Sequence, residues 1–115
     1  MVEVKFLELA QQELDDAFEY YEYQQTDLGY RFVQEVYNAI GLIKSYPLGW
    51  SSVSKNTRRC LVKSFPFGVI YQKREDMILV VAIANLHRKP NYWIIQGCRP
   101  RLHRQNQICI KLYFY

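Results

Sequence analysis

This 115-residue chain has little of what builds metal centres, disulfide frameworks or membrane spans. Histidine occurs twice, as His87 and His103, and no acidic cluster accompanies either, which argues against a metal site. The cysteines, Cys60, Cys98 and Cys109, are odd in number and lack any CxxC or Cys/His ligand spacing, so they read as reduced cytosolic thiols. No apolar run approaches the ~18 residues of a membrane-spanning helix. Met1 is followed by Val-Glu-Val-Lys and not by the apolar core of a secretion signal. There is no Gly-rich phosphate loop and no Ser/His/Asp set in a readable context. The expectation is a soluble cytoplasmic protein with no cofactor and no membrane association.

Apolar residues make up 50% of the chain and aromatics 16%, enough for one globular domain with a core of its own. The ten tyrosines point to many half-buried rings whose hydroxyls stay wet. Residues 1–54 carry three basic and nine acidic side chains, a net −6, while residues 55–115 carry twelve basic and two acidic, a net +10. A basic half of that size implies a polyanionic partner or an acidic protein partner, or else a bipolar surface that serves solubility.

The periodicity gives an order of elements. Val2 to Phe6 alternates as a strand with Val2, Val4 and Phe6 inward. Residues 8–25 read as a helix with Ala10, Leu14, Ala17, Phe18 and Tyr21 on one face. Glu13, Asp15, Asp16, Glu19 and Glu22 are assigned to its solvated or docking face. Asp27 is expected to cap a second helix that runs to about Tyr46, buried along Leu28, Phe32, Val36, Ile40 and Ile43. Gly41 inside it suggests a close contact with the sheet or the first helix. After a loop over 47–57, in which Trp50 is expected to cap the core edge, three antiparallel strands follow between Arg58 and Ala84. A bend or bulge is expected at Phe65-Pro66-Phe67-Gly68, and a charged hairpin tip at Lys73-Arg74-Glu75-Asp76. The uncharged run Met77 to Ala84 suits a central strand covered on both faces. The fold class is α+β, β-α-α-β-β-β, with a helical hairpin on a mainly antiparallel sheet. Ile108 to Tyr115 reads as one further strand, able to pair with a sheet edge or with a second copy.

The series Ala10, Asp16, Tyr20-Tyr21, Gly29, Phe32, Ile43, Pro47, Arg59, Phe65-Pro66-Phe67, Ile70-Tyr71, Ile83-Ala84 and His87-Arg-Lys-Pro-Asn-Tyr-Trp93 resembles the RelE/ParE superfamily of bacterial toxins. The Phe-Pro-aromatic turn and the Tyr-Trp ending resemble the ParE, or plasmid-stabilisation, branch. The resemblance covers about residues 2–96. It sets the boundary of a toxin domain at 1–97 and leaves 98–115 as an extension that the family's usual ending lacks. It implies the toxin of a type II toxin–antitoxin system, silenced by a cognate antitoxin. ParE-like members poison DNA gyrase, and RelE-like members cut messenger RNA on the ribosome. A third reading is a toxin homologue inactivated or altered by this extension and acting only as a binding protein, with the extension on a surface that the antitoxin would otherwise cover.

The candidate site follows the basic half. Arg59 would stabilise charge on a scissile phosphate in a nuclease, or anchor a carboxylate or phosphate in a binding toxin. His87, Arg88 and Tyr92 at the exit of the last strand would complete a metal-independent endoribonuclease, with His87 poised near neutral pH as a base. A binding surface would draw on Arg58, Arg59, Lys63, Tyr71, Arg74, Arg88 and Lys89, with Lys55 and Lys73 adding to the field. Aromatics interleaved with cations suit single-stranded RNA, and the same surface suits an acidic antitoxin segment. Residue type alone leaves enzyme and binding protein both open.

Overall fold

The computed structural model describes residues 2–87. Arg88, Lys89, Tyr92, Trp93, the family boundary near residue 97 and the extension 98–115 lie outside the described residues. The order is β1 (Glu3–Phe6), α1 (Glu8–Gln24), α2 (Leu28–Ser45), β2 (Ser51–Ser52), β3 (Arg58–Leu61), β4 (Phe67–Lys73) and β5 (Met77–Asn85). The five strands form one sheet in the order β1-β5-β4-β3-β2. β1 runs parallel to β5, and the other pairings are antiparallel. Both helices pack on one face, which makes this an α+β fold of the expected kind. One detail differs from the sequence reading: a two-residue strand, β2, extends the sheet where a loop was expected. β5 is an interior strand, paired on both sides and largely buried, as expected.

The core is the layer between helices and sheet. Ala10, Leu14 and Ala17 of α1 and Phe32, Val36, Ala39, Ile40 and Ile43 of α2 meet Cys60, Phe67, Val69, Tyr71, Ile78, Val80 and Ile83. Tyr21, Phe32, Phe65 and Phe67 interlock edge to face, with centroids 4.9 Å apart for Tyr21–Phe65 and for Phe32–Phe67. Such pairs add to the stabilisation that area alone gives. Trp50 packs against the edge of this core, as expected.

The hairpin between the helices is closed differently from the expectation. Asp27 stands at the N-cap position but in left-handed backbone, φ 72°, and makes no side-chain cap. Glu22 of α1 caps α2 instead: its carboxylate accepts the N–H groups of Asp27 at 2.9 Å and Gly29 at 3.0 Å. A Cβ on Gly29 would stand 2.6 Å from the Phe18 carbonyl oxygen, so the close approach falls here. A Cβ on Gly41, where the contact was expected, would meet nothing within 4 Å among the described residues. The glycine costs α2 about 1 kcal/mol relative to alanine with no packing against those residues in return.

The chain bends at Phe65-Pro66, as expected, and the ladder irregularity lies farther along. The Phe65-Pro66 turn is closed by Val62 N–H donating to the Phe67 carbonyl at 2.9 Å. The positive φ in that turn belongs to Ser64, at 71°. The irregularity falls between Ile70 and Tyr71, where Ile70 pairs with Ala82 but Tyr71 with Val80. Val81 is the extra residue. It flips the phase of β5, so that Ile78 and Val80 face the helices before it and Ile83 after it. An eight-residue apolar run without alternation is the sequence trace of that flip.

Candidate functional site

Arg58 and Arg59 are neighbours on β3, and a strand sends neighbours to opposite faces. Arg58 turns to the helix side, where its Nη1 donates to the Trp50 carbonyl at 2.7 Å. Directly across, Tyr71 is buried, and its hydroxyl donates to the Pro47 carbonyl. Together they tie the loop after α2 to the sheet. Burial pushes the Tyr71 hydroxyl pKa up, and the nearby Arg58 charge offsets part of that rise. Tyr71 is thus a core residue and not part of a binding surface. An aromatic next to cations in sequence need not share their face.

Arg59 takes the far side. It lies across from Ile70, which pairs with Ala82, and the next row on that side is Leu61, Gly68 and Ala84. The aliphatic stem of Arg59 lies over Gly68: a Cβ there would stand 2.9 Å from its Cγ and 3.6 Å from Cδ2 of Leu86. The glycine is needed for space, and it lets the arginine lean toward the end of β5. Among the described residues the guanidinium has no hydrogen-bond or ion-pair partner. Leu61 and Leu86 flank it, 56% and 41% exposed. The result is a strand-held cation over a floor of small residues with two apolar shoulders.

The other candidates are scattered. Lys63 is exposed beyond β3. Lys73 and Arg74 are at the β4–β5 tip, where Lys73 Nζ donates to the carbonyls of Arg74 at 2.8 Å and Glu75 at 3.2 Å. Arg74 bonds the Gln72 amide oxygen at 2.7 Å. His87 is exposed in the turn after β5, with its backbone N–H held by Asn85 Oδ1 at 2.8 Å. Among the described residues no group of three or more His, Cys, Asp or Glu is placed to hold a metal, and no helix is long and apolar enough to cross a membrane.

Glu13 is the residue that the sequence reading misplaced. It is fully buried, and its Oε1 accepts the N–H of Ile83 at 2.8 Å. β1 ends at Phe6, opposite Val80, while β5 continues to Asn85. The N–H of Ile83 would otherwise lack a strand partner on that side, and α1 supplies a carboxylate. The signal was present: Glu13 lies three residues after Ala10 and four before Ala17, on the buried face.

Comparison with known proteins agrees with this architecture. The sequence profile described as the ParE toxin of the type II toxin–antitoxin system parDE matches residues 4–92. No curated protein sequence matches the chain. Among solved structures, a chain of the chromosomal ParDE TA system from P. aeruginosa superposes with a TM-score of 0.67 at 16% identity. The superposition covers 76% of this chain and 98% of that one, a likeness of fold. With the profile spanning the sheet, both helices and the Arg59 row, this chain belongs to the ParE toxin family of type II toxin–antitoxin systems.

Proposed function

We propose that this chain is a cytoplasmic toxin that arrests growth by binding DNA gyrase and is neutralised by a cognate antitoxin. The family match over residues 4–92 carries the reading. The setting of Arg59 supports a binding role. A guanidinium whose stem lies over Gly68, with exposed leucines on either side, suits a carboxylate set in an apolar protein surface. The competing reading is ribosome-dependent cleavage of mRNA by Arg59, His87, Arg88 and Tyr92. The Arg59 stem lies over Gly68 and leans toward Leu86, the neighbour of His87, so it is experiment that separates the two.

Pulse labelling after induced expression in bacteria separates the two. Gyrase binding predicts that DNA synthesis stops first while translation continues. An early stop in translation with intact DNA synthesis would replace this reading with the nuclease.

A further inference from the structure

Tyr30, Tyr37 and Gly41 fall within about 40° of one another around α2, at 3.6 residues per turn. They make one outer stripe about 16 Å long at 1.5 Å per residue. Tyr30 is 63% and Tyr37 52% exposed. Among the described residues nothing lies within 4 Å of a Cβ built on Gly41. The stripe therefore combines an aromatic knob with an empty hole one helical turn away. A helix rarely keeps a glycine in its middle unless something approaches the backbone there.

We propose that this stripe is a self-association surface and that its occupant is the same stripe of a second copy of the chain, packed antiparallel. With the two-fold axis at the level of Ala39, midway between the two positions, Tyr37 of each copy enters the hole above Gly41 of the other. One contact is then made twice, as an isologous interface requires. Tyr30, Gln34, Tyr37 and Gly41 carry no charge. The exposed Lys44 on the flank stands, in antiparallel packing about Ala39, at the level of Gln34 of the other copy. The two lysines are then about 15 Å apart along the axis, so the stripe does not repel its own copy. The exposed side of α1 carries Glu8, Asp15 and Glu19 and would do so.

The polar groups beside the track are already satisfied within the helix. Gln34 Nε2 donates to Asn38 Oδ1 at 3.1 Å, and Ser45 Oγ donates to the Gly41 carbonyl at 3.2 Å. Burying them costs little. Tyr30 is fixed in advance by edge-to-face packing on Phe18, centroids 4.9 Å apart. A contact between two stripes about 16 Å long is small beside the roughly 1,200–2,000 Å² of stable interfaces, so the dimer forms in a concentration-dependent way. It is independent of which cellular target the toxin takes.

Sedimentation velocity on the full chain tests this over about 1 µM to 1 mM, a range that reads weak association. The expected result is a dimer fraction that rises with concentration. Gly41→Gln, which fills the hole with a good helix former, should abolish the dimer while leaving the melting temperature equal or higher. Tyr37→Ser should abolish it too. Tyr23→Ser, at a 90% exposed position on α1, should leave it intact. A chain that stays monomeric throughout overturns the inference and leaves the stripe to a protein of other sequence. A dimer that persists in both Gly41→Gln and Tyr37→Ser also overturns it.

Discussion

The two faces of the sheet are made by alternate residues of the same strands, and they differ in what those residues are for. On the helix side β4 offers Phe67, Val69 and Tyr71, large side chains buried in one layer with Phe32 and Ile43. On the far side the same strand and its neighbour offer Gly68, Ile70, Ala82 and Ala84, smaller on average and partly covered by Leu9 and Val53. Arg58 and Arg59 show the contrast at one step of the chain. The first is spent holding a loop, and the second is left with its charge uncommitted among the described residues. The large buried side chains are concentrated on one face, and the uncommitted charge of Arg59 lies on the other.

Substitutions that respect the faces should separate stability from recognition. The largest stability effect is expected at Tyr71. Tyr71→Ala removes a buried ring and should cost on the order of 3–5 kcal/mol in chemical denaturation, as for other buried aromatics. Glu13→Ala comes next, because it leaves the buried N–H of Ile83 without this acceptor, a loss of roughly 1–3 kcal/mol. Glu13→Gln keeps an oxygen acceptor, and its urea midpoint should lie between those of Glu13→Ala and the parent chain. A loss from Glu13→Ala within error of zero would mean that the carboxylate is not the partner this N–H depends on.

Gly68→Ala and Arg59→Met sharpen the comparison from the other side. Arg59→Met should change stability by less than about 1 kcal/mol, since it keeps most of the stem. Gly68→Ala, at a buried position where the new Cβ would stand 2.9 Å from Arg59 Cγ, should cost about 1–3 kcal/mol as the stem is displaced. Each should still relieve growth inhibition in an induced culture. Equal toxicity with either substitution would remove Arg59 from the working surface.

The smallest effect concerns pH. Burial raises the Tyr71 pKa above its usual 10.0 in the folded state. The folded chain therefore holds that proton more tightly than the unfolded chain does. The resulting stability is fully present below pH 10 and is lost as pH rises through the raised value. Tyr71→Phe should flatten this alkaline decline in a melting series while costing about 1 kcal/mol at neutral pH for the lost bond to Pro47. An alkaline decline unchanged in Tyr71→Phe would assign it to other groups.

Most of the fold was legible in the sequence because period and punctuation agreed. The α2 stripe of Phe32, Val36, Ile40 and Ile43 and the strands around Arg58 and Phe67 stand where the pattern put them. What was not legible depends on tertiary pairing. β1 pairs parallel with β5, a choice that no local pattern encodes. The Val81 bulge reverses inside and outside within a run that is apolar throughout. The Glu22 cap reaches across a turn, so a search for Ser, Thr, Asp or Asn at the N-cap chose Asp27 instead. The site suffered from the same limit. Cations close in sequence were gathered on one surface, whereas strand alternation divides Arg58 and Tyr71 from Arg59.

The division between the faces is tested most directly by inhibition of DNA gyrase supercoiling with purified chain, comparing Arg58→Met and Arg59→Met at equal concentrations of folded protein. Arg59→Met should need at least about tenfold more protein for half inhibition, equivalent to about 1.4 kcal/mol of lost binding, while Arg58→Met should inhibit as the parent chain does. Arg59→Met inhibiting like the parent chain, or both variants losing inhibition equally, would contradict that division.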